Sequence, residues 1–192
     1  KAFHVGMSVS DRIDAEKVTV SDLSGLSLPI PEVPFYRQTN LELIDVRGSE
    51  GGFMGGVLTD KRGKASAIVA SFPILNSKEG SNIWRGIPGH VVNAFLDDSR
   101  GAKMVGVEWG VTGLIHARDR GLEGASAAAL EAHDPEKRQI LQAVRVTRGS
   151  VADGVIEPGD ILVSVNGAPV TRIGEWSRAV QTDTLGLRVL RG

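Results

Sequence analysis

Apolar and polar residues alternate through Lys17-Val18-Thr19-Val20-Ser21-Asp22-Leu23, the period of a strand with one buried face. From Ala2 to about Ser71 the pattern is that of strands throughout. Two runs, Gly56 to Thr59 and Ala65 to Phe72, flank Asp60-Lys61-Arg62-Gly63, whose glycine suits a reversal, and this predicts a hairpin. Pro29-Ile30-Pro31-Glu32-Val33-Pro34 carries too many prolines for a central strand and predicts a loop. Gly86-Ile87-Pro88-Gly89 is expected to end the β region. The following His90 to Leu96 has helical spacing, with Val91, Val92, Phe95 and Leu96 on one face. The polar, glycine-containing stretch Asp97 to Lys103 marks a domain boundary, dividing the chain into 1–98 and 99–192.

Beyond it the pattern changes. Met104 to Trp109 predicts a short strand with a glycine inside it, Gly113 to Arg120 and Ala125 to Ala132 predict helices, and Ile140 to Thr147 and Asp160 to Val165 predict strands. Asn166-Gly167 predicts a tight turn, Ile173 to Gln181 a helix and Gly186 to Leu190 a closing strand. This order describes a small α+β domain. By the period of two, Ile161, Val163 and Val165 are expected to share one face of their strand.

Composition narrows the function classes. Lys+Arg (22) and Asp+Glu (23) nearly cancel to a net charge of -1 and are interspersed, so no strong field toward nucleic acid or anionic lipid is expected. Cysteine is absent, which removes disulfides and thiol chemistry but does not choose a compartment. Localisation stays open, with the periplasm favoured only if the chain is bacterial. No apolar run is long enough for a membrane span. The chain opens without a methionine and already in a strand pattern, which reads as a piece of something longer. The four histidines, His4, His90, His116 and His133, show no paired metal-ligand spacing and read as surface, capping or core residues, so neither a metal nor another cofactor is expected. The acids of Asp11-Arg12-Ile13-Asp14 and Leu41-Glu42-Leu43-Ile44-Asp45 read as a turn and a strand edge rather than an acid/base pair.

Val155-Ile156-Glu157-Pro158-Gly159-Asp160-Ile161-Leu162-Val163-Ser164-Val165-Asn166-Gly167-Ala168-Pro169-Val170 resembles PDZ domains in the circularly arranged form found in bacterial and HtrA/Deg-type proteases. Those residues build a turn, a buried strand and a second turn; the function implied by the resemblance lies elsewhere. In PDZ domains a glycine-containing loop binds a peptide carboxylate through backbone N–H groups beside a strand edge that accepts the peptide as an added strand. The resemblance places that loop at Met104-Val105-Gly106-Val107 and the other wall on the helix from Ile173, with Ile173 and Ser177 toward the peptide and Trp176 and Val180 toward the core. The implied partners are peptide or protein C-termini, or unfolded segments. Glu108 beside the loop would oppose a carboxylate if it pointed inward, and this leaves weakened or internal peptide binding as an alternative.

The first part resembles the second β-barrel of a trypsin-like HtrA/Deg protease, from Phe3-His4-Val5-Gly6 through Val18 to Leu26 and Tyr36 to Asn40 into Gly55-Gly56-Val57-Leu58-Thr59-Asp60, then Gly63-Lys64-Ala65 and Gly86-Ile87-Pro88. With Ala117-Arg118-Asp119-Arg120-Gly121-Leu122 and His133 to Gln139, it resembles in particular the degenerate second protease unit of double-length Deg proteins. The fold class implied is mainly β plus α+β, a trypsin-like second β-barrel followed by a PDZ domain. Where that family reads Gly-x-Ser-Gly-Gly this chain reads Gly52-Phe53-Met54-Gly55-Gly56. A thioether has no proton to lose and forms no acyl-enzyme, so Met54 is a degenerate nucleophile position and Gly52 a vestigial oxyanion donor. The rival alignment makes Ser49 of Gly48-Ser49-Glu50-Gly51-Gly52 the nucleophile, at the expense of five extra residues before Val57. The resemblance thus implies a catalytically inactive protease-like and PDZ binding module with a place in protein quality control. The alternative is the C-terminal part of an active serine endopeptidase whose catalytic residues lie upstream. Trimers in this family form through N-terminal elements, so assembly into a homo-oligomer stays open.

Overall fold

A computed structural model describes residues 2–26, 40–49, 53, 55–73, 82–97 and 103–192. The described chain forms two compact units: the strands and helix before residue 98, and residues 103–192 together with Asn40 and Leu41.

In the first unit β1 (Ala2–Met7), β2 (Ile13–Gly25), β3 (Glu42–Arg47), β4 (Gly56–Thr59), β5 (Ala65–Pro73) and β6 (Asn82–Pro88) close into a barrel in the order β1-β2-β3-β6-β5-β4. All pairings are antiparallel, and β1 seals the barrel by pairing its His4 with Leu58 and its Val5 with Val57. The interior is built from Val18, Leu58, Ala67 and Val69, with Ile44, Val46 and Trp84 packed on them. The expected hairpin is β4–β5: Asp60 accepts Gly63 N–H and donates its own N–H to Lys64, while its side chain takes the N–H groups of Arg62 and Lys64.

Two details differ from the sequence reading. Gly86-Ile87-Pro88 ends the β region as expected, but as the last residues of a strand, β6, that lies beyond the strand pattern read to Ser71, with Pro88 opposite Ala67. Proline gives the ladder no N–H and therefore reads as a stop, yet at the last position of a strand that loss is tolerated. The helix α1 (Gly89–Asp97) packs on β5 and β6, but Leu96 is 71% exposed and so does not belong to the packed face expected of it. The proline-rich segment 29–34 lies outside the described residues.

The second unit comprises β7 (Val107–Gly113), α2 (Leu114–Asp119), α3 (Gly124–His133), β8 (Gln139–Val146), β9 (Ile161–Val165), β10 (Ala168–Pro169), α4 (Ile173–Ala179) and β11 (Leu187–Leu190). Its five-stranded sheet runs β10-β9-β8-β7, with β11 also on β9, so β7 is a sheet edge. Both faces are covered, which is why β9 reads as a nearly unbroken apolar run. On one face Ile140, Ile161 and Val163 meet Leu114, Ala117 and Leu130 of α2 and α3. On the other, Leu141 and Leu162 meet Ile173 and Trp176 of α4, and the Trp109 and Trp176 rings stand edge to face at 5.0 Å. Val165 belongs to this second cluster and not with Ile161 and Val163. Against β11 the pairing passes from Arg188↔Ser164 to Val189↔Leu162, which leaves Val163 as an extra residue in β9, and this bulge resets the alternation so that Val165 falls on the α4 side. The strand expected from Met104 begins only at Val107, and it continues to Gly113.

Candidate functional site

In the barrel, β1 carries His4 into the interior, where the ring is 0% exposed and lies 4.3 Å from that of Phe53. Its Nε2 is 3.2 Å from the Gly55 carbonyl and its Nδ1 is 2.8 Å from Ser49 Oγ. A carbonyl oxygen only accepts, so Nε2 carries the hydrogen, and in the neutral ring Nδ1 accepts from the Ser49 hydroxyl. A serine thus faces an imidazole, which is the first requirement of a nucleophile and base. The remaining geometry differs from a triad: the base nitrogen is Nδ1 rather than Nε2, and the other nitrogen is held by a neutral carbonyl rather than by a carboxylate. This contact joins positions 45 apart and had no signal in the local sequence.

Gly52 and Met54, the expected vestigial oxyanion and nucleophile positions, lie outside the described residues. Their neighbour Gly56 has φ 144°, and a Cβ on it would stand 2.3 Å from the Val5 carbonyl oxygen and 3.0 Å from His4 Nε2. Glycine is therefore required there by the close approach of β4 to β1.

The other histidines stand apart from this pair. His90 lies in the first turn of α1, His116 in α2, and His133 ends α3 with Nε2 2.9 Å from Glu175 Oε1. Among the described residues no group of three His, Asp or Glu side chains is placed to hold a metal.

In the second unit the residues expected to bind peptide separate into three environments. Met104, Val105 and Gly106 precede β7 as a loop, and Val107 starts the strand. The loop is pinned from behind: Thr147 N–H donates to the Gly106 carbonyl at 2.8 Å and Ala152 N–H to that of Val105 at 3.3 Å. Gly106 has φ 90°, and a Cβ there would fall 2.2 Å from Ser150 Cβ. Ile173 is 3% exposed and lies in the same cluster as Trp176 and Val180. Ser177 is partly exposed on α4, and its Oγ donates to the Asn40 carbonyl at 3.3 Å. Glu108 is engaged by Arg145 on β8, with Nη2 2.9 Å from Oε2, so its charge is balanced across the strand pair.

Asn40 is the residue that sequence reading missed. It touches both walls, the outer edge of β7 through Val107 and Trp109, and α4 through Ser177. Lys103 N–H meanwhile donates to Gln181 Oε1 at 2.8 Å, and Gln181 Nε2 donates back to the Lys103 carbonyl and to that of Ser177.

A barrel of six antiparallel strands followed by a sheet with one open edge beside a helix defines a protein of the trypsin-like-barrel and PDZ class. Comparison with known proteins agrees: the PDZ domain family matches residues 142–191. The relatives that this chain matches are of the HtrA/Deg type. It is 29% identical over 219 residues to Protease Do-like 7 of Arabidopsis thaliana, covering 97% of this chain and 20% of that protein. It is 30% identical over 188 residues to pro-apoptotic serine protease NMA111 of Saccharomyces cerevisiae (strain ATCC 204508 / S288c), covering 93% and 18%. The chain thus spans about a fifth of the length of these curated relatives. The solved structure of an HtrA-type protease, AlgW with tripeptide, superposes with a TM-score of 0.54 at 18% identity over 100% of this chain and 60% of that one, a likeness of fold.

Proposed function

We propose that this chain is a non-catalytic, protease-derived module whose PDZ domain binds peptide or protein segments for an HtrA/Deg-type parent, with the barrel in 1–98 and the PDZ domain in 99–192. The observation that carries the binding half is the outer edge of β7 facing α4, where hydrogen bonds to Val107 and Trp109 reach the strand and one from Ser177 reaches back. That is the arrangement by which a sheet edge accepts an added strand. Support for loss of chemistry comes from Met54 at the nucleophile position and from the Gly55 carbonyl, rather than a carboxylate, as the described partner of His4 Nε2. A role in protein quality control and assembly into a homo-oligomer are consistent with this reading and belong to it as expectations.

The Ser49–His4 contact gives the rival alignment a specific observation, and one experiment separates the two. Under the proposal, fluorophosphonate labels nothing on the folded chain and casein stays intact. Covalent labelling at Ser49 would establish that the pair is a working nucleophile and base, and the alternative of a serine endopeptidase would take over. Met54→Ser alone should create no hydrolysis, because a serine without an oriented imidazole keeps its proton. For the PDZ half, fluorescence polarisation with a peptide library should detect binding that weakens on Ser177 substitution, and a comparison of acid with amide C-termini reports whether a carboxylate is recognised. Failure of every peptide in both forms would overturn external binding.

A further inference from the structure

Asn40 belongs with the second unit, and the way it touches that unit is specific. Its Oδ1 accepts the Trp109 N–H at 2.9 Å, and its Nδ2 donates to the Val107 carbonyl at 2.5 Å. Those two backbone groups, a C=O and an N–H two residues apart on one edge, are the pair that a residue of an added parallel strand satisfies with its own N–H and C=O. A carboxamide presents the same donor and acceptor side by side. The side chain of Asn40 therefore stands where a ligand's peptide unit would stand, while its backbone carbonyl takes the Ser177 hydroxyl from the opposite wall.

We propose that the β7–α4 groove is occupied in cis by the chain's own segment at Asn40, so that an external peptide binds only by displacing it. The inference rests on the groove being the peptide site and names its resident ligand. Three features favour this occupant. The amide meets both the open donor and the open acceptor of the edge, which no single-function side chain does: aspartate lacks the donor and lysine lacks the acceptor. Leu41 clusters with the same unit, so the contact belongs to a stretch of chain rather than to one wandering side chain. The clasp of Gln181 on Lys103 takes up a backbone N–H just before the loop and ties that end of α4 to it, and Lys103 Nζ is held by Asp183 at 2.6 Å. A groove whose strand edge is filled by an amide suits a segment that runs along it, which is an internal one.

The consequence is a threshold on external binding. A ligand that needs the vacated groove has its apparent affinity reduced by the fraction of time the groove is open. Removing the resident amide should therefore strengthen external binding even though it adds no contact.

The test is residue-resolved amide hydrogen exchange on the full chain, with the Ala143 N–H, bonded to the Asp160 carbonyl at 2.8 Å, as a core reference. Asn40→Ala should raise exchange of the Trp109 N–H about tenfold or more while Ala143 keeps its protection. Unchanged Trp109 exchange would overturn the proposal. If Asn40→Ala lowers Ala143 protection as well, the isosteric Asn40→Asp decides. It keeps an acceptor for Trp109 but turns a carboxylate oxygen to the Val107 carbonyl, so Trp109 exchange must rise severalfold, and wild-type exchange would sink the idea. In a second arm, a fluorescein-labelled synthetic peptide of residues 34–44 should bind the Asn40 variants about tenfold tighter than the wild-type chain, and its own Asn40→Ala version should not bind. Equal affinity for wild type and variants would show the groove open in solution and overturn cis occupancy. A Trp109 response without any peptide binding would uphold cis occupancy and instead overturn external binding, so the two readings fail separately.

Discussion

Asp160 is 2% exposed at the turn into β9, and its carboxylate accepts Arg191 Nε at 2.9 Å, Arg191 Nη2 at 2.6 Å and the Glu157 N–H at 2.9 Å. The bidentate Arg191 contact is the main reason its pKa lies below the ordinary carboxylate value; burial opposes the shift and the Glu157 N–H assists it. A carboxyl group whose pKa is lower folded than unfolded contributes stability that is present above its unfolded value, near 3.8, and lost as pH falls through the folded value. Asp160→Asn should therefore cost about 1.5 kcal/mol at pH 7, below the usual figure for a buried pair because Arg191 is half in water. In urea unfolding, the gap between Asp160→Asn and wild type should narrow as the pH falls below 3.8 and close once it is below the folded value. Ser49→Ala leaves the buried Nδ1 of His4 without its donor and should cost about 1–2 kcal/mol in the same assay, with peptide binding unchanged. At this scale the sequence was legible where a residue's role is local, as in Pro158-Gly159-Asp160 and Asn166-Gly167. Nothing in Thr39-Asn40-Leu41 or Gly48-Ser49-Glu50 distinguishes them from other polar connections, because their partners lie 67 and 45 positions away.

At the scale of the elements, α4 depends on Glu175, whose Oε2 accepts the N–H groups of Thr171 and Arg172 at 3.0 and 3.2 Å while Oε1 faces His133 at 2.9 Å. The carboxylate satisfies donors that the first turn of a helix leaves open and lies at the positive end of its dipole. Glu175→Ala should destabilise the second unit by about 1 kcal/mol and loosen the groove wall that carries Ser177, seen as weaker peptide binding and a lower urea midpoint. A glutamate at Ile173 would report on folding before binding, since that side chain is buried with Trp176 and Val180. The hairpin β4–β5 was legible because its turn is encoded by four adjacent residues. Strand β6 was not, because its boundaries are set by pairing with β3 and β5 rather than by its own pattern. The start of β7 moved from Met104 to Val107 for a similar reason: the preceding loop is held by Thr147 and Ala152, contacts that no local period records.

Across the whole molecule, each unit has a hydrophobic interior of its own, and the boundary read in the sequence rested on the polar, glycine-containing stretch Asp97 to Lys103. Leu58 is fully buried among Val18, Ala67 and Val69, and Leu162 is fully buried among Leu141, Val165 and Trp176. Truncating either to alanine removes apolar contacts and leaves a cavity in a close-packed interior, at about 3 kcal/mol in each case. Stability in a chain with separate cores is distributed among cooperative units rather than shared uniformly. Leu58→Ala should therefore raise amide exchange throughout the barrel strands while the Ala143 N–H keeps its protection, and Leu162→Ala should do the reverse. The Trp109 N–H adds a third signal, because its partner is Asn40 and not a strand of the sheet. It should exchange faster in Leu162→Ala, which loosens the edge that presents it, and as in wild type in Leu58→Ala if docking of Asn40 depends on the second unit's own groove. Hydrogen exchange followed by mass spectrometry reads all three signals in one experiment. Loss of protection in both units from either substitution would show a single cooperative fold and contradict the independence argued from the two cores.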